Sequence, residues 1–239
     1  MEFIKSRMHI LLTRPLDDSL ELIKKFTNLG HKVSHMPVIH IEEIKHQEIN
    51  FATFKCLILT SANALQFINL SNIDKKILCF CVGASTEKKA LNLGFQNVIS
   101  AQGNVRALEE LILQNFKISD GKILYLSGEF ITDDIHLNLS KCGYDIKRIV
   151  NYKSTPIFTL DENFLSQLKA DIPNIVYLYS HQSALNFLKL IEKYNLDDNW
   201  MNTNLMCISE KTSSVLNKIK WKKIFIFSPG EEEFLLYKI

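Results

Sequence analysis

No run of 18 consecutive apolar residues occurs in these 239 residues, so no segment has the length to cross a bilayer as a helix. The opening Met1-Glu2-Phe3-Ile4-Lys5-Ser6-Arg7 lacks the apolar core and small-residue cleavage site of a signal peptide. The expectation is a cytoplasmic protein with no membrane partner. Phosphate-cradling loops are missing as well. No G-x-G-x-x-G follows a strand and no G-x-x-x-x-G-K-[ST] is present, which removes the main support for dinucleotide and nucleoside-triphosphate sites. The seven histidines are dispersed without H-E-x-x-H, and no second Cys or His pair has zinc-site spacing, so neither a metal nor a cofactor is expected. A G-x-S-x-G elbow is absent too, which disfavours serine hydrolase chemistry. Net charge is only +2 with no long basic run, which argues against a nucleic-acid partner. Arg14, Arg106 and Arg148 can still meet a multiply acidic small molecule. The five cysteines are odd in number and mostly lie in apolar runs, as buried thiols of a reducing compartment do. Cys79 and Cys81 fall on one face of a strand and read as core.

What is present is an ordinary globular mixture, 46% hydrophobic and 23% charged. The chain is long enough for two cores of roughly 100 residues each. Its punctuation occurs twice. Strand-like Leu57 to Leu59 ends in Thr60-Ser61, Cys79 to Val82 ends in Gly83-Ala84-Ser85-Thr86, and Ile10 to Leu12 feeds a helix closed by Gly30. In the second copy Val176 to Leu178 ends in Tyr179-Ser180, Met206 to Ile208 runs to Thr212, and Ile123 to Leu126 leads to Gly143. Helical spacing marks Leu16, Leu20, Ile23 and Leu29, a short helix Ala64 to Leu70, and helices at Ser85–Leu93, Leu108–Ile112, Asp133–Lys141 and Ala184–Ile191. Strands alternating with helices imply parallel sheets. Two stretches alternate polar and apolar residues instead, from Pro37 and from Ile149, and read as crossings between lobes. The expected organisation is an α/β chain in which 1–36 and 159–239 form one lobe and 49–148 the other, with 37–48 and 149–158 as the crossings.

Small polar residues thus recur where a strand gives way to a helix. Unpaired N–H groups there can bind a carboxylate or phosphate, and ligands of open parallel sheets sit at that edge, so the repeat suggests a cleft between lobes. The candidates are Thr60, Ser61 and Asn63, then Gly83, and Ser180 and Ser183 with Gln182. Their plain alternative is helix capping, worth about 1 kcal/mol each. His181 beside Ser180 reads as a surface loop residue. Tyr152, between Asn151 and Lys153 in the second crossing, is the unusual residue. A phenol with its ordinary pKa near ~10 stays protonated at neutral pH and can donate to a leaving hydroxyl, although its ring can also simply pack.

Leu12-Thr13-Arg14-Pro15, Leu59-Thr60-Ser61-Ala62-Asn63-Ala64 and Val82-Gly83-Ala84-Ser85-Thr86 open a longer series. It continues with Asn151-Tyr152 and Pro156, Tyr179-Ser180, Ile208 to Thr212, and Pro229-Gly230-Glu231 followed by Leu235-Leu236. In order and spacing, from about residue 8 onward, these motifs resemble uroporphyrinogen-III synthases. The resemblance implies two α/β lobes joined by a two-stranded linker. It also implies a cofactor-free closure of hydroxymethylbilane to uroporphyrinogen III, with loss of the ring A hydroxyl, a spiro intermediate and inversion of ring D, carried out by a monomer. By position Tyr152 matches the family's linker tyrosine, the candidate for assisting hydroxyl loss, and Thr86 and Thr212 match threonines at two helix starts. Ser61, Asn63, Ser180 and Ser183 match turn residues facing the eight substrate carboxylates, and Arg14 can pair with one. This chain departs from the pattern with Tyr179 in place of Thr, Ser209 in place of Gly, and no Arg in the loop after Ser127-Gly128. A non-catalytic two-lobed polycarboxylate binder is the alternative reading.

Overall fold

The computed structural model describes residues 7–102, 104–131, 133–228, 230–233 and 236. Met1 to Ser6, and Pro229 and Leu235 of the closing motif, lie outside the described residues. Strands and helices alternate along most of the chain. In order they are β1 (His9–Leu12), α1 (Leu16–Asn28), β2 (Lys32–His35), β3 (Ile39–Glu43), β4 (Phe54–Leu59), β5 (Leu78–Val82), α2 (Ala84–Asn92), β6 (Asn97–Ala101) and α3 (Val105–Asn115). Then follow β7 (Lys122–Gly128), α4 (Ile135–Lys141), β8 (Ile146–Pro156), α5 (Glu162–Ala170), β9 (Ile175–Leu178), α6 (His181–Lys193), β10 (Asn204–Cys207), α7 (Glu210–Ser213) and β11 (Lys223–Ile226). No helix among the described residues is long and apolar enough to cross a membrane. The chain divides into two compact units, Met1–His40 with Thr155–Ile239, and Ile41–Ser154.

The first unit holds a five-stranded sheet in the order β11-β10-β9-β1-β2, with parallel pairing throughout. Its central strands are short apolar runs because both faces are covered. Ile10 and Leu12 enter one core with Phe26, Tyr177 and Met206, while Leu11 on the opposite face joins Val176, Phe187 and Trp200. Each such side chain, fully buried, contributes about 1.5–3 kcal/mol. Of the α1 stripe expected from Leu16, Leu20, Ile23 and Leu29, Ile23 packs against the core. The three leucines are 51%, 42% and 40% exposed, and the buried positions of the helix are Ser19 and Phe26. Phe26 stacks on Tyr177 with ring centroids 5.9 Å apart, so the larger aromatic contact sets the helix rotation.

At the amino end of this sheet His9 is buried, with Nε2 2.7 Å from Ser34 Oγ and Nδ1 3.3 Å from Asp171 Oδ2. Lys32 Nζ donates to the same Asp171 oxygen at 2.6 Å. Burial lowers the His9 pKa below its ordinary 6.5, Asp171 opposes this, and Lys32 reinforces it. A lowered imidazole pKa means that the unfolded chain binds the proton more tightly. Stability is therefore complete above 6.5 and falls as pH drops through the lower folded value. Urea midpoints measured from about pH 7 down to about pH 5 are expected to decline less for His9→Gln than for the parent, and equal slopes would remove His9 from this account.

The second unit carries the sheet β3-β8-β7-β4-β5-β6, whose β8-β7-β4-β5-β6 pairings are parallel. Cys56, Ile58, Ile123 and Tyr125 form its core with Leu108, Ile112 and Leu139 of α3 and α4. The thiols of Cys56, Cys79 and Cys81 are buried and pushed up by desolvation, consistent with packing. The helix expected over Ala64 to Leu70 is instead one tight turn, Ala62–Leu65. The fully buried Asn151 Nδ2 donates to the Ala64 carbonyl at 2.7 Å and ties this turn to β8.

Candidate active site

Strand order locates a switch point in each unit. In the second, β5 and β6 lie to one side of β4 while β7 and β8 lie to the other, so the chain changes direction between β4 and β7. Loops leaving two such strands diverge and open a crevice at their carboxyl ends. A cavity of about 190 Å³ lies there, lined among others by Thr60 and Ser61 after β4, Gly128 at the end of β7, and Tyr152 of β8.

Two features aim Tyr152 at this cavity. The β7–β8 register slips between Ser127 and Gly128, which pair with Val150 and Tyr152, leaving Asn151 as an extra residue. Such a bulge re-aims the side chains around it. Asn151 and Tyr152 are consequently both buried, at 0% and 9% exposure, where a regular strand would alternate. Gly128 then makes room. A Cβ built there would stand 2.8 Å from Tyr152 Cζ and 3.0 Å from its hydroxyl oxygen.

Sequence reading passed over Tyr125, a second phenol lining the same cavity. Its hydroxyl lies 3.2 Å from Thr60 Oγ1. Burial raises its pKa, and the Thr60 hydrogen bond and nearby Arg148 partly offset this. Tyr125 was hidden because it reads as one more apolar residue of a buried strand. Arg148 answers the missing arginine of the Ser127-Gly128 loop. Its Nε donates to Ser127 Oγ at 2.8 Å, and Nη2 donates to the carbonyls of Gly128 at 2.9 Å and Glu129 at 3.2 Å. The guanidinium comes from the neighbouring strand, in register with Tyr125.

Asn63, Gly83 and Thr86 are not among the residues lining the cavity. Ser61 Oγ accepts from Asn63 N at 3.2 Å, so this hydroxyl caps the turn. Gly83 starts α2 at φ +78° with no side-chain cap, which leaves first-turn N–H groups for another acceptor, and Thr86 is buried in that turn. Gly83→Ala is expected to cost about 1–3 kcal/mol from backbone conformation alone, because φ +78° with ψ 152° is open only to glycine while a Cβ meets nothing within 4 Å. Thermal melting checks this, and an unchanged midpoint would contradict it.

In the first unit the direction changes between β1 and β9. Arg14 follows β1, and Tyr179-Ser180 follows β9. Thr13 Oγ1 donates to the Tyr177 carbonyl at 2.6 Å and ties these two strand ends together. Arg14 Nη2 lies 3.2 Å from Asp18, and its guanidinium sits 4.8 Å above the Tyr179 ring. The substitution of tyrosine for threonine at position 179 thus supplies an aromatic platform for Arg14. The Tyr179 hydroxyl is buried near Glu232, and burial pushes its pKa well up.

Ser180 Oγ accepts from Ser183 N at 3.0 Å and donates to Ser183 Oγ at 2.8 Å. Ser209 repeats the arrangement, accepting from Thr212 N at 3.2 Å with Thr212 Oγ1 at 3.0 Å. These hydroxyls act as caps of their turns. His181 joins the two turns through Nδ1, 3.0 Å from the Lys211 carbonyl. Among the described residues no group of three or more His, Cys, Asp or Glu is placed to hold a metal ion.

A sequence model of the family described as uroporphyrinogen-III synthase HemD matches residues 21–229. Among solved structures, uroporphyrinogen-III synthetase from Helicobacter pylori 26695 is 20% identical, with a TM-score of 0.60 over 97% of this chain and 100% of that one. A mutant uroporphyrinogen III synthase from the extremely thermophilic bacterium Thermus thermophilus is 12% identical, with a TM-score of 0.53 over 97% and 96% of the two chains. At these identities the likeness is one of fold. No curated protein sequence matches. The family match covers most of both units, and on it the chain belongs to the uroporphyrinogen-III synthase family, the cyclases of haem biosynthesis.

Proposed function

We propose that the chain works as a hydro-lyase on hydroxymethylbilane, acting as a cytoplasmic monomer, with Tyr152 assisting departure of the ring A hydroxyl. The observation that carries this reading is the Tyr152 phenol held against Gly128 in a cavity at the β4–β7 switch point. The pyrrole nitrogen lone pairs push the C–O bond apart, so the protein needs to supply only a proton or hydrogen bond and the right geometry. Tyr152 gives its proton to the leaving hydroxyl, which departs as water and leaves an azafulvene. Ring D attacks, the spiro intermediate fragments, and the chain re-closes in the flipped sense. The pyrrole carbon that forms the last bond sheds its proton as the ring regains aromaticity, and this restores the phenol. Overall, one water is lost.

Within each unit the strand-end turns serve carboxylates. Backbone N–H groups of Ala84 to Thr86 at α2, and those following Ser180 at α6, are the donors, with Arg14 as the cation of the first unit. Thr212 keeps its turn closed through Ser209. At about 190 Å³ the cavity is smaller than the roughly 300–1,000 Å³ of drug-sized ligand sites, so it takes one substituted pyrrole rather than the whole tetrapyrrole. Phe130, 82% exposed at its rim, offers a face for that ring.

The test supplies hydroxymethylbilane and separates isomers III and I by chromatography. Isomer III at a rate proportional to protein is the expected result. Isomer I alone, the spontaneous product, would leave the non-catalytic polycarboxylate binder, which family membership disfavours. Sedimentation of the chain checks the monomer.

A further inference from the structure

Tyr125 is the buried polar group of the cavity that the reaction sketched above leaves unused. The ring is 1% exposed, packed in the core with Ile58 and Leu108, while the hydroxyl reaches the cavity wall. Two buried phenols elsewhere in this fold end on a backbone carbonyl. Tyr144 donates to Phe116 O at 2.7 Å, and Tyr177 donates to Glu232 O at 2.6 Å. Tyr125 ends instead on the Thr60 hydroxyl, which also lines the cavity. Proton counting separates the two situations. A phenol facing a carbonyl spends its one donor there. Two facing hydroxyls hold two protons and spend one on each other, so the pair keeps one O–H for a third partner whichever of them donates.

The cavity offers that third partner: Tyr152 lines it together with Tyr125 and Thr60, and Arg148 stands in register with Tyr125 on the next strand. Burial holds Tyr125 in its O–H form, so it can donate when the oxygen of Tyr152 gains negative character. Resting on the cyclase reading, we infer that Tyr125 is a positioning residue: with Thr60 it forms a two-hydroxyl relay that orients Tyr152 and donates to its oxygen as the ring A hydroxyl leaves. The relay transfers no net proton. It strengthens one hydrogen bond while the Tyr152 proton passes to the leaving group.

A double-variant cycle tests this on hydroxymethylbilane, with the initial rate of isomer III as the readout. Tyr125→Phe is expected to lower kcat about tenfold with KM within about twofold, the loss of one hydrogen bond made in the transition state. Because the relay works through Tyr152, the Tyr125→Phe/Tyr152→Phe chain is expected to be no slower than Tyr152→Phe alone. Thr60→Val reproduces the Tyr125→Phe loss, and Thr60→Ser, which keeps the hydroxyl, recovers most of it. These two keep the question open to measurement even where Tyr125→Phe folds poorly. A parent-like kcat in Tyr125→Phe, or losses that multiply in the double variant, would overturn the relay. A parent that yields only isomer I overturns the cyclase reading and this one together, and it is recognised without any variant.

Discussion

Tyr152→Phe is expected to lower the rate of isomer III formation by about a hundredfold, the lower end of what a positioned acid contributes. The ring stays in place. It is 9% exposed and abuts Gly128, and phenylalanine keeps the same outline. Only the hydroxyl is lost, and with it one hydrogen bond of about 1 kcal/mol, so the melting temperature should fall by no more than about 2–4 °C. Affinity for the substrate should change little, because the hydroxyl acts as the C–O bond breaks rather than in the ground state. An unchanged kcat would make Tyr152 a packing residue. A large loss accompanied by a collapsed melting transition would point to the fold rather than to the reaction.

Gly128→Ala tests the same phenol from the other side and is expected to damage stability and rate together. The added Cβ would stand 2.8 to 3.0 Å from three atoms of the Tyr152 side chain, closer than real carbon atoms approach, so the ring or strand β7 must shift. Neither shift is easy. Tyr152 sits at the bulge, its strand pinned by the Asn151 bond to Ala64, and Arg148 grips the carbonyls of Gly128 and Glu129. Overpacking of this kind costs about 1–3 kcal/mol, and misplacing a reacting group by about 1 Å costs about a hundredfold in rate. If Gly128→Ala alone retains both parental stability and parental rate, the tight approach carries no functional weight.

Much of the architecture was legible because it is written locally. Apolar runs of four to six residues bounded by Thr-Ser, Gly-Ala-Ser or Tyr-Ser, followed by helical spacing, identify strand and helix without knowledge of neighbours. In place of the helix expected over Ala64 to Leu70 stands a turn held by Asn151 from 87 residues away, a nonlocal contact. The exposure of the three α1 leucines is nonlocal likewise, because Tyr177, far along the chain, rotates Phe26 inward. Among candidate residues, Thr60, Ser61 and Tyr152 meet in one cavity, whereas the hydroxyls of Ser61, Ser180 and Ser209 turn out to be engaged as caps. Side-chain hydroxyls and backbone N–H groups of a turn carry the same sequence signal, and only coordinates separate them.

By itself, then, the sequence determined an α/β chain with its small polar residues at strand ends, and the order of motifs that marks the family. Those follow from periodicity, turn chemistry and spacing, which act over a few residues. Only the tertiary structure decided that β4 neighbours β7, that a one-residue bulge turns Tyr152 inward beside Gly128, and that Tyr125 lines the same cavity. Strand order and register are set by pairings between segments dozens of residues apart. A shift of one residue there moves a side chain from one face of the sheet to the other.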